Sequence, residues 1–260
     1  MPGTHFGIYG SLKRDRSPIW DASLITNADG AIYNTWFSIG KFFQISRGVP
    51  TDGDPSDAIL VTQYGRKGVF SNYNHFFITD EPHYLATGLH AFVYTYDASG
   101  GGTIPLGPNL PLFAVDVAIP PLAMLLTLEP PTIRNVANNF LVDATFNLPV
   151  LGSLTVIVTQ WKAVGSTQSQ CTAVVSQVDP GTNAPTGTPL LKKSPIQNGT
   201  PNEFNNHRAT LGGAIASVGE RSSSVVWHEI RLLKIPDASD AEMVELWSDL
   251  WNKWSALTTA

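Results

Sequence analysis

The sequence contains little charge for its length, and that charge is not clustered. Charged residues make up 14% of the 260-residue chain, against about 25% in a typical globular domain. The net charge is −5, and the densest basic runs are KRDR at 13–16 and LKK at 191–193. Because phosphate binding requires a patch of Lys and Arg, nucleic acid is not an expected partner. A surface this poor in charge is covered by small polar residues or buried against other subunits.

Cysteine is nearly absent. The single Cys171 excludes any disulfide within the chain. This fits a protein assembled in a reducing cytoplasm, and a disulfide-free exported protein is the alternative. A chain of this length buries roughly 70–75% of its unfolded surface, so its core needs no covalent cross-link.

Long hydrophobic runs are also missing. The N-terminal segment MPGTHFGIYGSLKRDR has no apolar stretch of the secretory type. The most hydrophobic window, 110–128, is interrupted by Asp116, Pro120 and Pro121. Proline and a buried charge are incompatible with an uninterrupted membrane helix. We therefore predict two buried strands joined at a Pro-Pro corner, with no signal peptide and no membrane insertion.

Short β-rich segments fill the chain. The 19 Pro and 22 Gly residues separate stretches of β-branched and aromatic residues, such as SLTVIVTQW at 153–161. In that segment apolar Leu154, Val156 and Val158 fall on one face of a strand. Strands at this spacing, with turn residues between them, are typical of an all-β antiparallel sandwich or barrel. We predict one β-sandwich domain over 1–260 with an elaborated middle region; the alternative is a β domain at 1–128 followed by a second domain at 129–260.

One helix is expected, near the C-terminus. Ser239 and Glu242 form a capping box, in which each side chain satisfies a free backbone N–H. An apolar stripe at helical spacing follows and includes Trp247, Trp251 and Trp254. The pattern predicts a helix over about 240–256. Two alternatives are open for the three indoles: packing on the domain's own sheet, or docking on a neighbouring subunit as an interface.

The motifs that resemble catalytic or metal sites are incomplete. His228-Glu229 begins a zinc-protease motif, but Leu232 stands where the second His ligand is required. Ser217 resembles a nucleophile elbow, but Ile215 replaces its first Gly. We therefore expect no catalytic residues and no metal ligands. The acidic loop with Asp52, Asp54 and Asp57 is predicted to be solvated, and Ca²⁺ binding there is an alternative that no second feature supports.

The segment FSNYNHFF at 70–77 is the candidate carbohydrate-binding site. Sugar binding uses a flat aromatic face for the C–H side of a ring and amides or hydroxyls for its OH groups. Both kinds of group occur together in Asn72, Tyr73, Asn74 and His75. The alternative is an ordinary strand or turn with buried phenylalanines.

The segment from 204 to 254 resembles the end of concanavalin A-like and laminin G-like jelly-roll domains. Three pieces carry the resemblance: ATLGG at 209–213, HEIRLLKI at 228–235 and ASDAEMVELWSDLW at 238–251. A looser match is LHAFVYTYDASGGG at 89–102. The resemblance implies an antiparallel β-sandwich closed by the 228–235 strand and covered at one end by the capped helix. The hairpin usual in that family is not recognisable after Gly102, and 103–150 has no counterpart.

That fold hosts lectins, adhesion modules and enzymes alike, so it does not fix a function. We expect a non-enzymatic binding or structural protein. The most concrete form is a virion component of a bacterial virus (capsid decoration, head spike or tail protein). Such a protein is assembled in the host cytoplasm, needs no cofactor, associates with itself or other virion proteins, and binds a cell-surface glycan. The alternatives are a carbohydrate-active enzyme, either a glycosidase or a lyase, and a lectin unrelated to viruses.

Overall fold

The computed structural model describes residues 18–23, 42–46, 49–50, 59–63, 66–71, 76–79, 88–96, 110–115, 122–128, 131–137, 140–147, 153–182, 184–198, 209–211, 225–233, 235 and 237–257. These residues form seventeen strands and one helix.

In chain order, the first nine strands are β1 (Pro18–Ser23), β2 (Phe42–Ser46), β3 (Val49–Pro50), β4 (Ile59–Gln63), β5 (Arg66–Ser71), β6 (Phe76–Thr79), β7 (Leu89–Tyr96), β8 (Leu110–Val115) and β9 (Leu122–Leu128). The remaining elements are β10 (Pro131–Ala137), β11 (Phe140–Asn147), β12 (Leu154–Val164), β13 (Gln168–Val178), β14 (Pro185–Lys193), β15 (Gln197–Asn198), β16 (Ala209–Leu211), β17 (Val225–Leu233) and α1 (Asp240–Ser255).

The strands form two antiparallel sheets. The first sheet has the order β14-β13-β12-β7-β17-β5-β4, with β1 paired to β17 and β15 to β13. The second has the order β11-β10-β9-β8-β16-β6-β2-β3. This architecture confirms the predicted all-β antiparallel sandwich with one C-terminal helix. Strands from both ends of the chain pair directly, as β1 does with β17; the domain boundaries themselves stay a prediction.

The apolar window at 110–128 forms two strands, as predicted. β8 and β9 pair antiparallel, with Leu110 opposite Leu126. Within the described part of the chain, no helix is both long and apolar enough to span a membrane.

β12 lies in the middle of the first sheet and is covered on both faces. Leu154, Val156 and Val158 belong to the core under α1, as their alternation predicts. Thr155 and Thr159, on the opposite face, are also buried. Alternation of apolar and polar residues usually indicates one solvated face. Here the threonine side chains instead face a second layer of protein.

The helix begins at the predicted capping box. The Ser239 hydroxyl accepts a hydrogen bond from the Glu242 backbone N–H, and the Glu242 carboxylate accepts one from the Ser239 backbone N–H. The buried side of α1 carries Met243, Leu246, Trp247, Leu250 and Trp254. These side chains pack on β7, β12 and β13, and this surface of the first sheet is called the helix-covered face below.

Candidate functional site

A buried ionic cluster lies between β17 and α1. The Glu229 carboxylate accepts hydrogen bonds from Lys253 Nζ at 2.8 Å and from Trp254 Nε1 at 2.7 Å. It also forms an ion pair with Arg231, and both side chains are only 1% exposed. Burial alone raises the pKa of Glu229, but the charges of Arg231 and Lys253 outweigh burial and hold this pKa below its ordinary value. Glu229 is therefore ionised at neutral pH and tied to the helix.

His228 lies beside this cluster on the same strand. A register shift between Trp227 and Glu229 interrupts the pairing of β17 with β7. The His228 ring packs against Trp254, with ring centroids 5.1 Å apart, and its Nε2 lies 2.8 Å from the Thr95 hydroxyl. Across the described ranges, no group of three or more His, Cys, Asp or Glu side chains is placed to hold a metal ion. The His228-Glu229 pair thus serves to join the helix to the sheet.

The three C-terminal tryptophans differ in exposure. Trp247 and Trp254 are buried within the chain, and Trp247 Nε1 donates a hydrogen bond to the Val156 carbonyl at 2.9 Å. Trp251 is half-buried and stacks on Trp247 with an interplanar angle of 8°. Packing on the chain's own sheet, the first of the two alternatives, thus accounts for Trp247 and Trp254. A role of these indoles in an interface stays a prediction, and Trp251 is the one with surface available.

Trp251 fits over β14 because residue 187 is glycine. Gly187 has a φ of 74°, in the region that favours glycine. A Cβ atom on this residue would lie 2.8 Å from Trp251 Nε1. Gly187 therefore provides both the backbone conformation and the space that the indole occupies.

The opposite face of β7 and β17 carries aromatic residues. The Tyr94 and Trp227 ring centroids lie 5.5 Å apart, and those of Phe92 and Trp227 lie 6.2 Å apart. The Tyr94 hydroxyl is buried without a hydrogen-bond partner, and burial raises the pKa of Tyr94 above its ordinary value. This region is a packed core rather than an open site.

A surface depression of about 260 Å³ lies on the β13–β14 hairpin. The described residues that line it are Val175, Ser176, Gln177, Val178, Leu190 and Lys192. We refer to it as the β13–β14 depression. Its position follows from the strand register: Val174 and Leu191 are opposite partners that pack under α1. Because successive strand residues point to opposite faces, Val175 and its partner Leu190 lie on the other side of the sheet.

Two polar residues of the β13–β14 depression reach solvent, whereas Ser176 is buried. Gln177 is exposed and Lys192 is half-buried. The Ser176 hydroxyl donates to the Gln177 carbonyl at 3.0 Å. A register shift between Ser176 and Val178 interrupts the β13–β14 pairing at this point, and such bulges often occur next to binding sites. No sequence motif marks this depression, because it depends on which residues the register brings together.

Several predicted sites fall outside the described residues. These are the carbohydrate-binding candidates Asn72, Tyr73, Asn74 and His75, and likewise Asp52, Asp54, Asp57 and Ser217. They stay predictions.

Comparison with known proteins identifies the fold. No protein-family model matches the chain, and no curated protein matches its sequence. The fold is similar to that of domain 4 of AbnA, a GH43 extracellular arabinanase from Geobacillus stearothermophilus, in complex with arabinotriose. This similarity has a TM-score of 0.50 at 9% identity and covers 90% of this chain and 100% of that one. The fold is also similar to the receptor-binding domain of botulinum neurotoxin type G, with a TM-score of 0.50 at 10% identity. That similarity covers 88% of this chain and half (50%) of the toxin chain. A β-sandwich fold is thus shared with both.

Proposed function

We propose that this chain is a non-enzymatic, lectin-like β-sandwich protein that binds carbohydrate. The observation that carries the proposal is the similarity to domain 4 of the arabinanase, which extends over 90% of this chain and all (100%) of that domain. That domain was observed in complex with arabinotriose. The similarity covers 90% of this chain, so the whole β-sandwich is the unit to be tested for sugar binding.

The buried acid Glu229 does not fit the role of the proton donor in a glycosidase. A glycosidase on this fold requires two carboxylates across a groove, one of them with a raised pKa so that it can donate a proton. Glu229 is a buried carboxylate on β17, and its pKa is lowered by Arg231 and Lys253. A carboxylate held ionised beneath a helix is unsuited to donate a proton to a leaving group. A carbohydrate-active enzyme remains the alternative that the experiment below addresses.

We further propose that the protein is a virion component that associates with itself or with other virion proteins. The low charge, 14% of residues, and the 43% of hydrophobic residues support extensive burial in an assembly. Many copies on one particle would turn individually weak glycan contacts into tight adhesion to a cell surface.

The first sheet limits how subunits associate. β14 is an edge strand among the described elements, and it carries Pro185, Pro189, Lys192 and Lys193. Proline and lysine on an edge strand oppose the addition of another strand. Association through this edge is therefore disfavoured. The half-buried Trp251 offers a contact surface instead, so Trp251→Ala is expected to leave a folded chain with weakened self-association by light scattering.

The binding function is tested with the full chain on an array of neutral and acidic glycans. Each positive glycan is then titrated by calorimetry, and its chain length is followed by mass spectrometry after prolonged incubation. Binding with unchanged chain length supports the proposal. Shortened oligosaccharides would favour the enzyme alternative, and no binding by a folded chain would refute carbohydrate recognition.

A further inference from the structure

We infer that the β13–β14 depression binds a saccharide unit that carries a carboxylate, such as a uronic acid; this inference rests on the carbohydrate-binding function proposed above. The depression differs in place and chemistry from the aromatic segment at 70–77. Its volume of about 260 Å³ lies just below the roughly 300–1,000 Å³ typical of pockets for drug-sized ligands. It is therefore suited to a single sugar unit.

The strand register arranges the lining residues in a defined order. Val175 and Leu190 are direct partners, and Lys192 lies opposite Ala173. Lys192 is thus two residues from the apolar pair in one direction, and Gln177 is two residues away in the other. At about 3.3 Å per strand residue, the Cα atoms of Lys192 and Gln177 are roughly 13 Å apart along the sheet. The two polar residues therefore flank the apolar pair from opposite ends.

This order matches the chemistry of an acidic sugar. The half-buried side chain of Leu190, next to the buried Val175, provides an apolar contact for the C–H face of a ring. The Gln177 amide both donates and accepts hydrogen bonds, as hydroxyl recognition requires. Lys192 carries the charge among the described lining residues. Since hydrogen bonds between an ammonium and a carboxylate are stronger than those to a neutral hydroxyl, the depression favours a sugar acid over its neutral counterpart.

The neighbouring lysine provides an internal comparison. Lys193 lies on the helix-covered face, where its Nζ is 2.6 Å from the Asp240 carboxylate. Lys192 points to the other side of the sheet and lines the depression. Lys192 also has an interaction within the chain. A bound carboxylate would share the Lys192 ammonium with that partner. Lys192 therefore faces the depression, and the adjacent Lys193 does not.

The test titrates the full chain by calorimetry with trigalacturonate and with arabinotriose as the neutral probe. Lys192→Gln is expected to weaken trigalacturonate binding about tenfold, the loss of one charge-assisted contact. The matched control Lys193→Gln is expected to leave affinity unchanged. Raising NaCl to about 0.5 M should weaken binding to the wild type more than to Lys192→Gln. Thermal unfolding of each variant confirms that it is folded.

Four outcomes would overturn the inference. Binding of arabinotriose without trigalacturonate would leave carbohydrate binding intact and remove the acidic specificity. Trigalacturonate binding that Lys192→Gln does not alter would remove the depression as its site. Equal binding of triglutamate would show that charge alone is recognised and not a sugar. If no saccharide binds to the folded chain, the proposed function fails together with the inference.

Discussion

Polar side chains have different roles at the helix-covered face and in the β13–β14 depression. Under the helix, Glu229 is bonded to Lys253 and Trp254 and is 1% exposed. In the depression, Gln177 is exposed and Lys192 is half-buried. Burying a charge is costly unless it is paired. The charged groups under the helix are paired with one another and stabilise the fold. On the hairpin, Gln177 is exposed and can contact a ligand, whereas Lys192 would share its charge between a ligand and its interaction within the chain.

Breaking the ionic cluster is expected to have the largest effect. Glu229→Gln removes the negative charge that Arg231, whose side chain is 1% exposed, contacts across the cluster. Removing one partner of a buried pair costs about 3–5 kcal/mol in the free energy of unfolding. Urea denaturation measures this loss, with Glu245→Gln on the exposed side of the same helix as the control. A loss below about 1 kcal/mol would show that the cluster contributes as little as a surface pair.

The same carboxylate predicts a dependence of stability on pH. The pKa of Glu229 is below its ordinary value of 4.5 in the folded chain, so the unfolded chain takes up its proton at a higher pH. The stabilisation is therefore complete above the unfolded pKa and is lost as the pH falls through the lower folded pKa. The difference in unfolding free energy between wild type and Glu229→Gln should shrink as the pH falls below about 5, where the unfolded chain begins to take up the proton. A difference that stays constant over this range would contradict the assignment.

Gly187 lies on β14, the strand that also lines the depression. Gly187 itself contacts Trp251 of the helix. Gly187→Ala is expected to destabilise the fold by roughly 1–3 kcal/mol through its positive φ, with an added cost from the contact with Trp251. Gly165→Ala is the matched control, since Gly165 has a φ of 67° and nothing within 4 Å of an added Cβ. The comparison is made by thermal unfolding. Equal losses for both variants would show that Trp251 moves aside freely.

Local sequence patterns predicted the helix and the main strands. The burial of individual side chains and the position of the depression depend on long-range packing. The Ser239 capping box and the apolar stripe lie within a few residues of each other, so the sequence alone is sufficient to identify them. The burial of Thr159 and Glu229 depends on layers that cover both faces of the first sheet. The β13–β14 depression depends on the register that sets Val175 opposite Leu190. The spacing of residues along the chain does not indicate which residues are opposite each other on neighbouring strands.

Removing the helix cap is expected to lower the free energy of unfolding by a moderate amount. Ser239→Ala removes the hydroxyl that accepts from the Glu242 N–H, which costs about 1 kcal/mol. Ser248→Ala is the control on the same helix, because the Ser248 hydroxyl only donates back to the Val244 carbonyl. That substitution is expected to change stability by less than about 0.5 kcal/mol. If the two variants lose the same free energy in urea denaturation, packing rather than the cap fixes the start of the helix.

The smallest effect is expected from Tyr94→Phe, on the side of the first sheet opposite the helix. The Tyr94 hydroxyl is buried without a hydrogen-bond partner, and an unpaired buried polar group costs free energy that phenylalanine does not incur. The ring contacts with Trp227 are retained because the aromatic ring stays the same size. We expect unfolding in urea to be unchanged or shifted toward greater stability by up to about 1 kcal/mol. A clear loss of stability would mean that the hydroxyl is bonded in solution, for example to a bound water, and that this side of the sheet is less tightly packed than the helix-covered face.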